Sequence, residues 1–175
     1  MRVIVNLLLF QCGWWACILG AAHGRAWAGV AVVCVILCAH LMLISTARSL
    51  DALLIAGALA VGLIADTLLA ASGAVDFGAQ AWRGVFAPLF MLALWANFAV
   101  TLTTCLRWLK GRYGAAALLG AAGGPLAYYA GARFGAIALW PGNTALALAL
   151  IGAAWCVAML LVLAWWQWCA RWTAS

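Results

Sequence analysis

The chain has 175 residues, 70% of them hydrophobic and 7% charged, with a net charge of +6. Soluble domains carry roughly 45–50% apolar and 25% charged residues, so a soluble fold of this size is excluded and lipid must solvate much of the surface. The nine Lys and Arg sit at segment ends and form no stripe, which excludes nucleic-acid binding and points to orientation in a membrane.

Six apolar runs follow, each of about twenty residues and long enough to cross a bilayer. The first, 3–22, follows Arg2 as a signal peptide would. It is as long as a full span and no clean A-x-A site follows it, and Phe10 and Gln11 before Cys12 do not suit a lipoprotein cleavage site. The run is therefore expected to be a retained first helix. It carries Asn6 and Gln11 as buried polar candidates. The second run, 27–46, carries Cys34, Cys38 and His40. The two thiols lie one helical turn apart, and a soft-metal set is the sharper reading. The seven Cys are odd in number and lack a C-x-x-C, so packing is the plainer one. No disulfide framework, metal site or cofactor is expected. His40 reads as a hydrogen-bonding residue at a helix contact.

The third run, 52–72, follows a connection at 47–51 and contains Asp66, with Gly62 one turn earlier on the same face. An ionisable residue inside a span is expensive and needs a reason. The fourth run, 85–106, carries Asn97, Thr101 and Thr104 on one face. The fifth, 113–131, holds the spacings Gly120/Gly124 and Gly131/Gly135, which favour close helix approach. It also holds Pro125, which predicts a kink and makes this helix the expected irregular element. Tyr128 and Tyr129 lie near its end, and Arg133 and Gly135 fall in the stretch to Leu139, over which an extension of the helix stays open. The turn Trp140-Pro141-Gly142-Asn143 breaks the chain, and Asn143 is the natural cap of the sixth run, 144–168.

The expected fold is an all-α membrane protein: a single domain over 1–175, a bundle of about six transmembrane helices with the N-terminus and C-terminus both cytoplasmic. In that orientation Arg2, Arg48, Arg107, Lys110, Arg112 and Arg171 face the cytoplasm, against Arg25, Arg83 and Arg133 outside. Trp108, Trp165, Trp166, Trp168 and Trp172 are expected to form an interfacial belt on the same side. Asp66 is expected to face the bundle with Arg133 as counter-charge, and Arg83 or His23 as alternatives. Asp66, Arg133, Asn97, Thr101 and Tyr129 form the candidate binding set. There is no H-E-x-x-H, G-x-S-x-G or phosphate loop. Ser45, Ser49, Ser72 and Ser175 lack an evident triad partner, so no catalytic residue is assigned.

Three stretches carry a family resemblance. They are N-x-x-x-F-Q-x-G-W-W over 6–15, L-W-A-N-F-A-V-T-L over 94–102 and G-G-P-L-A-Y-Y-A-G-A-R-F-G-A over 123–136. Together they resemble the bacterial inner-membrane family known as domain of unknown function 2878, over nearly the whole chain. The resemblance brings no activity and no catalytic residue. Genes of cyclopropane-fatty-acid-type lipid modification near members of that family imply a link with membrane lipid metabolism, by association alone. The expected partners are the lipid bilayer and a lipid-modifying enzyme. Three functions follow as expectations: an accessory factor of lipid modification or envelope homeostasis, which is favoured; a small-solute or ion transporter with a site near Asp66; and an intramembrane lipid-modifying enzyme.

Overall fold

The first apolar run folds as one continuous helix, α1 (Arg2–Ala22). The left-handed Gly24 then turns the chain. In the computed structural model, which describes residues 2–84 and 86–173, five more α-helices follow: α2 (Ala26–Ala39), α3 (Arg48–Ala71), α4 (Leu89–Leu102), α5 (Tyr113–Arg133) and α6 (Thr144–Trp172). Val85, where the fourth run was expected to start, and Ser175 lie outside the described residues. Four of the described helices are long and apolar enough to cross a membrane: α1, α2 with the turn that continues it to Ile44, α3 and α6.

The boundaries correct the sequence reading in two places that matter. α3 begins at Arg48, so Asp51 lies in the first turn of the helix and not in a connection. α4 spans 14 residues, about 21 Å, against 22 expected. Pro88 precedes it in an extended conformation; it has no N–H to donate, and its carbonyl starts the ladder by accepting from Met91 N at 3.0 Å and Leu92 N at 3.3 Å. Its other end is dismantled by threonines. Thr101 Oγ1 donates to the Phe98 carbonyl (2.6 Å) and Thr104 Oγ1 to the Val100 carbonyl (2.8 Å), competing with the backbone for helical acceptors.

The irregular backbone also falls elsewhere than expected. α5 stays helical from Tyr113 to Arg133 with Pro125 inside it. Because Pro125 has no N–H, the Ala121 carbonyl one turn earlier loses its helical donor. That carbonyl lies against Gly152 of α6, where an added Cβ would stand only 3.0 Å from it. The Gly152 Cα–H thus faces the freed oxygen, a weak hydrogen-bonding geometry common at close helix contacts. The irregular element is the end of α2, where His40–Ile44 form a π turn. Gly135 belongs to no helix contact; it takes φ +81° just beyond Phe134 and caps α5. Asn143 caps α6 as read from the sequence, its side chain accepting from Leu146 N at 3.0 Å.

The helices alternate in direction. Asn6 of α1 meets Thr104 after α4, while Gln80 reaches the carbonyls of Ala21 and Ala136. Residues 2, 45–47, 103–112 and 172 therefore gather at one end, called here the terminal end. The far end is covered by residues 72–84, among them β1 (Val75–Asp76), which pairs antiparallel with β2 (Ala138–Leu139). α4 sits in the middle against α1, α2 and α3, whereas α5 packs on α6 and α6 on α3. Near the terminal end Trp165 stacks on Trp168, and Trp168 meets Trp172 at a tilt of 56°, forming a row on α6. Trp166 leaves the expected belt and turns into the core, with the Lys110 Nζ 5.8 Å from its ring centre.

Candidate functional site

The inner face of α3 is a single stripe of Asp51, Leu54, Ala58, Gly62, Asp66 and Leu69, all buried. Its spacings of three and four keep them on one side of the helix. Both carboxylates of α3 therefore point into the bundle, about four turns apart.

Asp66 is wholly buried. Its Oδ2 accepts from Trp95 Nε1 of α4 at 2.9 Å, and its Oδ1 accepts from the Tyr128 hydroxyl of α5. Gly62 makes this possible: a Cβ there would fall inside the Trp95 ring. Trp95 stacks on Trp155 of α6 with ring centres 4.3 Å apart and planes at 15°. Tyr128 meets the same Trp155 edge-on at 6.4 Å. Gly124 of α5 leaves the space that the Trp155 ring fills. Trp155 Nε1 points into this cluster without a hydrogen bond of good geometry, beside a Tyr128 hydroxyl already engaged by Asp66. Four helices thus converge on one carboxylate through aromatic groups.

A second buried acid lies near the terminal end. Asp51 Oδ2 is 3.1 Å from His40 Nε2, and Asp51 Oδ1 accepts from Thr103 Oγ1 at 2.5 Å. Both members of the pair are buried, and it is the one ion pair among the described residues. The bond assigns the proton to His40 Nε2. His40 Nδ1 is buried with no partner among the described residues. The π turn begins at His40 itself, and such widened turns are frequent at functional positions.

Between these acids runs a polar seam joining α1 to α4. Asn6 Nδ2 donates to the Val100 carbonyl (3.1 Å), and Asn6 Oδ1 lies 2.6 Å from Thr104 Oγ1, sharing that hydroxyl's single proton with the same carbonyl. Asn97 Nδ2 donates to the Phe10 carbonyl (2.9 Å). Gly13 lets that amide approach, since a Cβ would stand 2.6 Å from its nitrogen. Along this seam the expected polar stripe of α4 joins two helices through hydrogen bonds.

A cavity of about 400 Å³ opens between α1, α4, α5 and α6. Its wall is a stripe from Leu7 to Ile18 on α1, one from Met91 to Thr101 on α4 and one from Leu119 to Gly131 on α5. At 1.5 Å per residue the α1 stripe is about 17 Å long, so the space is elongated along the helices. Trp95, Tyr128 and Trp155 form part of its wall. Asp66 stands behind Trp95 and Tyr128 and contributes nothing to the surface.

The candidate set is thus partly brought together. Thr101 lines the cavity, and Asn97 holds α1 beside it. Asp66 pairs with none of the three expected counter-charges. Arg133 is exposed, Arg83 lies near the Trp82 ring, and His23 Nδ1 bonds the Leu19 carbonyl of its own helix at 2.8 Å. Tyr129 is 47% exposed, while Tyr128, 3% exposed, takes the inward place. Cys34 and Cys38 are exposed, on a different side of the chain from buried His40. Trp95, Trp155, Tyr128, Thr103 and the His40–Asp51 pair were absent from the sequence-derived set. One signal could have found Tyr128: the buried positions Ala116, Gly120 and Gly124 recur every four residues and lead to it.

These features define a helical membrane-type bundle with an apolar cavity backed by a sealed carboxylate. Residues 3–169 match the family described as protein of unknown function DUF2878, and the chain belongs to that family. No curated protein and no solved structure matches it.

Proposed function

We propose that this chain is a bacterial inner-membrane protein that holds one acyl-type chain of a membrane lipid in the cavity between α1, α4, α5 and α6, as an accessory factor of lipid modification. The observation that carries this reading is the cavity's shape and chemistry. It is a groove about 17 Å long, its wall dominated by Leu, Phe, Trp, Met, Ile and Gly, with no charged residue among those lining it. A hydrated ion or small polar solute would find few partners there, whereas a methylene chain would replace lipid contacts with protein contacts. The buried Asp66 supports the same reading. Both its oxygens are occupied by donors and screened from the cavity, so it braces the aromatic wall and offers no ligand site of its own.

We place six helices across the membrane and both termini in the cytoplasm. α4 is short for a bilayer core of about 30 Å, but ten of its residues are buried. Of the non-helical backbone at its ends, Ala87 and Pro88 are buried and residues 103–106 half-buried, which limits what lipid would meet. The terminal end exposes six basic residues and the far end three, in line with the cytoplasmic excess of Lys and Arg. A reporter active only outside the cytoplasm, fused after Ser175, is expected to stay silent; strong activity would overturn this orientation.

The acyl-chain site is tested at Gly123. This residue lines the cavity, and a Cβ there meets nothing within 4 Å. Gly123→Leu should fill the space without straining the backbone and raise helix propensity. Labelling of the reconstituted protein by a phospholipid carrying a photoreactive acyl chain is expected on peptides of α1 and α5, and to fall several-fold in this variant. Unchanged labelling would refute the site. For the accessory role, total lipids of deletion and wild-type cells should differ, and identical profiles would exclude it.

A further inference from the structure

We infer that the lipid held in the cavity is an anionic phospholipid, with its phosphate on the basic loop 107–112 and one acyl chain running from there toward Tyr128. This rests on the reading of the cavity as an acyl-chain site, and adds the direction of the chain and the chemistry of the head.

The direction comes from the wall. Toward the terminal end it includes Leu7, 48% exposed, and Leu119, 39% exposed. Toward the far end it includes Ile18 and Tyr128, each 3% exposed. The groove is therefore open at the terminal end and blind at the other. The blind end is closed by Ile137 and by Trp14, which meets Phe134 edge-on. At this closed end α1 meets α5 and the residue that caps it: Ile18 faces Gly131, and Trp14 and Trp15 meet Phe134. A second acyl chain can stay in the bilayer beside the open part of the groove.

The head chemistry comes from charge. The wall ends at Cys105 and Leu106, and Arg107 is the next residue, with Lys110 and Arg112 close behind. All three are exposed. The loop that carries them is pinned, because Leu109 is fully buried against Ala116, Met159 and Leu163. Arg2 begins α1 at the same end. No carboxylate answers these charges on the surface there among the described side chains. Asp51 is buried with His40 and Thr103, Asp66 is sealed, and Asp76 lies in β1 at the far end. A fixed cluster of cations at the mouth of an apolar groove is complementary to an amphiphile with an anionic head. Three cations within six residues suit a phosphate, whose oxygens can take several donors at once.

The test uses the purified full chain in phosphatidylcholine vesicles. Trace photoreactive phosphatidylglycerol, photoreactive phosphatidylcholine with the same acyl chain, or the free photoreactive fatty acid is added. Each basic residue near an anionic lipid adds about fivefold in binding, so phosphatidylglycerol is expected to label α1 and α5 peptides about fivefold or more above phosphatidylcholine. The triple variant R107Q/K110Q/R112Q should lower phosphatidylglycerol labelling about fivefold or more and phosphatidylcholine labelling less, because the choline already balances its phosphate, with an unchanged near-ultraviolet circular dichroism spectrum reporting an intact fold. Equal labelling of the wild-type protein by the two phospholipids overturns the headgroup assignment while the acyl-chain site stands. Stronger labelling by the free fatty acid than by phosphatidylglycerol overturns it in favour of a single-chain carboxylate. Phospholipid labelling that Gly123→Leu leaves untouched removes the acyl-chain site and this assignment with it.

Discussion

Asp66→Leu is expected to lower the stability of the folded protein by about 3–5 kcal/mol, one of the two largest single-residue effects in the chain. The carboxylate is wholly buried and takes Trp95 Nε1 and the Tyr128 hydroxyl. Leucine removes both acceptors and leaves two buried donors unpaired, each costing about 1–3 kcal/mol. The loss propagates, because Trp95 stacks on Trp155 and Tyr128 packs edge-on against the same ring. Thermal unfolding in detergent, followed by near-ultraviolet circular dichroism of the tryptophans, should show a Tm lower by about 10 °C at this size. Asp66→Asn should cost less. One amide oxygen still accepts, and the Tyr128 hydroxyl can turn to accept from the new amide, although Trp95 cannot. Arg133→Gln should stay within about 0.5 kcal/mol, since Arg133 is exposed. Wild-type stability for Asp66→Leu, or a large loss for Arg133→Gln, would show that the partners of Asp66 differ from those described.

The His40–Asp51 pair is expected to behave in the opposite way when both members change together. Removing one partner of a buried pair leaves an uncompensated group and costs about 3–5 kcal/mol, whereas replacing both by apolar residues is often neutral or stabilising. His40→Leu alone leaves Asp51 with hydroxyl donors only, chiefly Thr103 at 2.5 Å. Asp51→Leu alone leaves both ring nitrogens of His40 without a partner, because Nδ1 has none among the described residues already. The double variant removes both demands. A double-mutant cycle should therefore be strongly non-additive, with the double variant more stable than either single one. Additive losses would mean that the two side chains act independently. The π turn at His40–Ile44 gives the experiment a second readout. If the pair holds that turn open, the double variant should regain stability while hydrogen exchange across Leu41–Ser45 stays altered.

The amino-acid sequence by itself determined the lipid environment, the helical class and most of the helix positions. These depend on local sums: length and hydropathy of each run, and the turn chemistry between runs. The Asn143 cap of α6 and the inward face of Asp66 beside Gly62 belong to the same class, because each is set by residues within one helical turn. Only the tertiary structure decided what Asp66 touches. Its partners lie 29 and 62 residues away, and their arrival depends on the rotation and depth of two other helices. Tyr128 and Tyr129 illustrate this. Adjacent residues point about 100° apart on a helix, so one of them must turn outward. The packing of Gly120 and Gly124 against Trp155 chose Tyr128. An arginine looked the natural counter-charge because charge is visible in a sequence. The space that admits the Trp95 ring over Gly62 is not. The same holds for His40 and Asp51, whose pairing needed a widened turn and an earlier start of α3 that hydropathy does not register. The cavity is furthest from the sequence of all, since it lies where α1 and α5 stand apart along most of its length, and sparse contact between distant helices leaves no local signature.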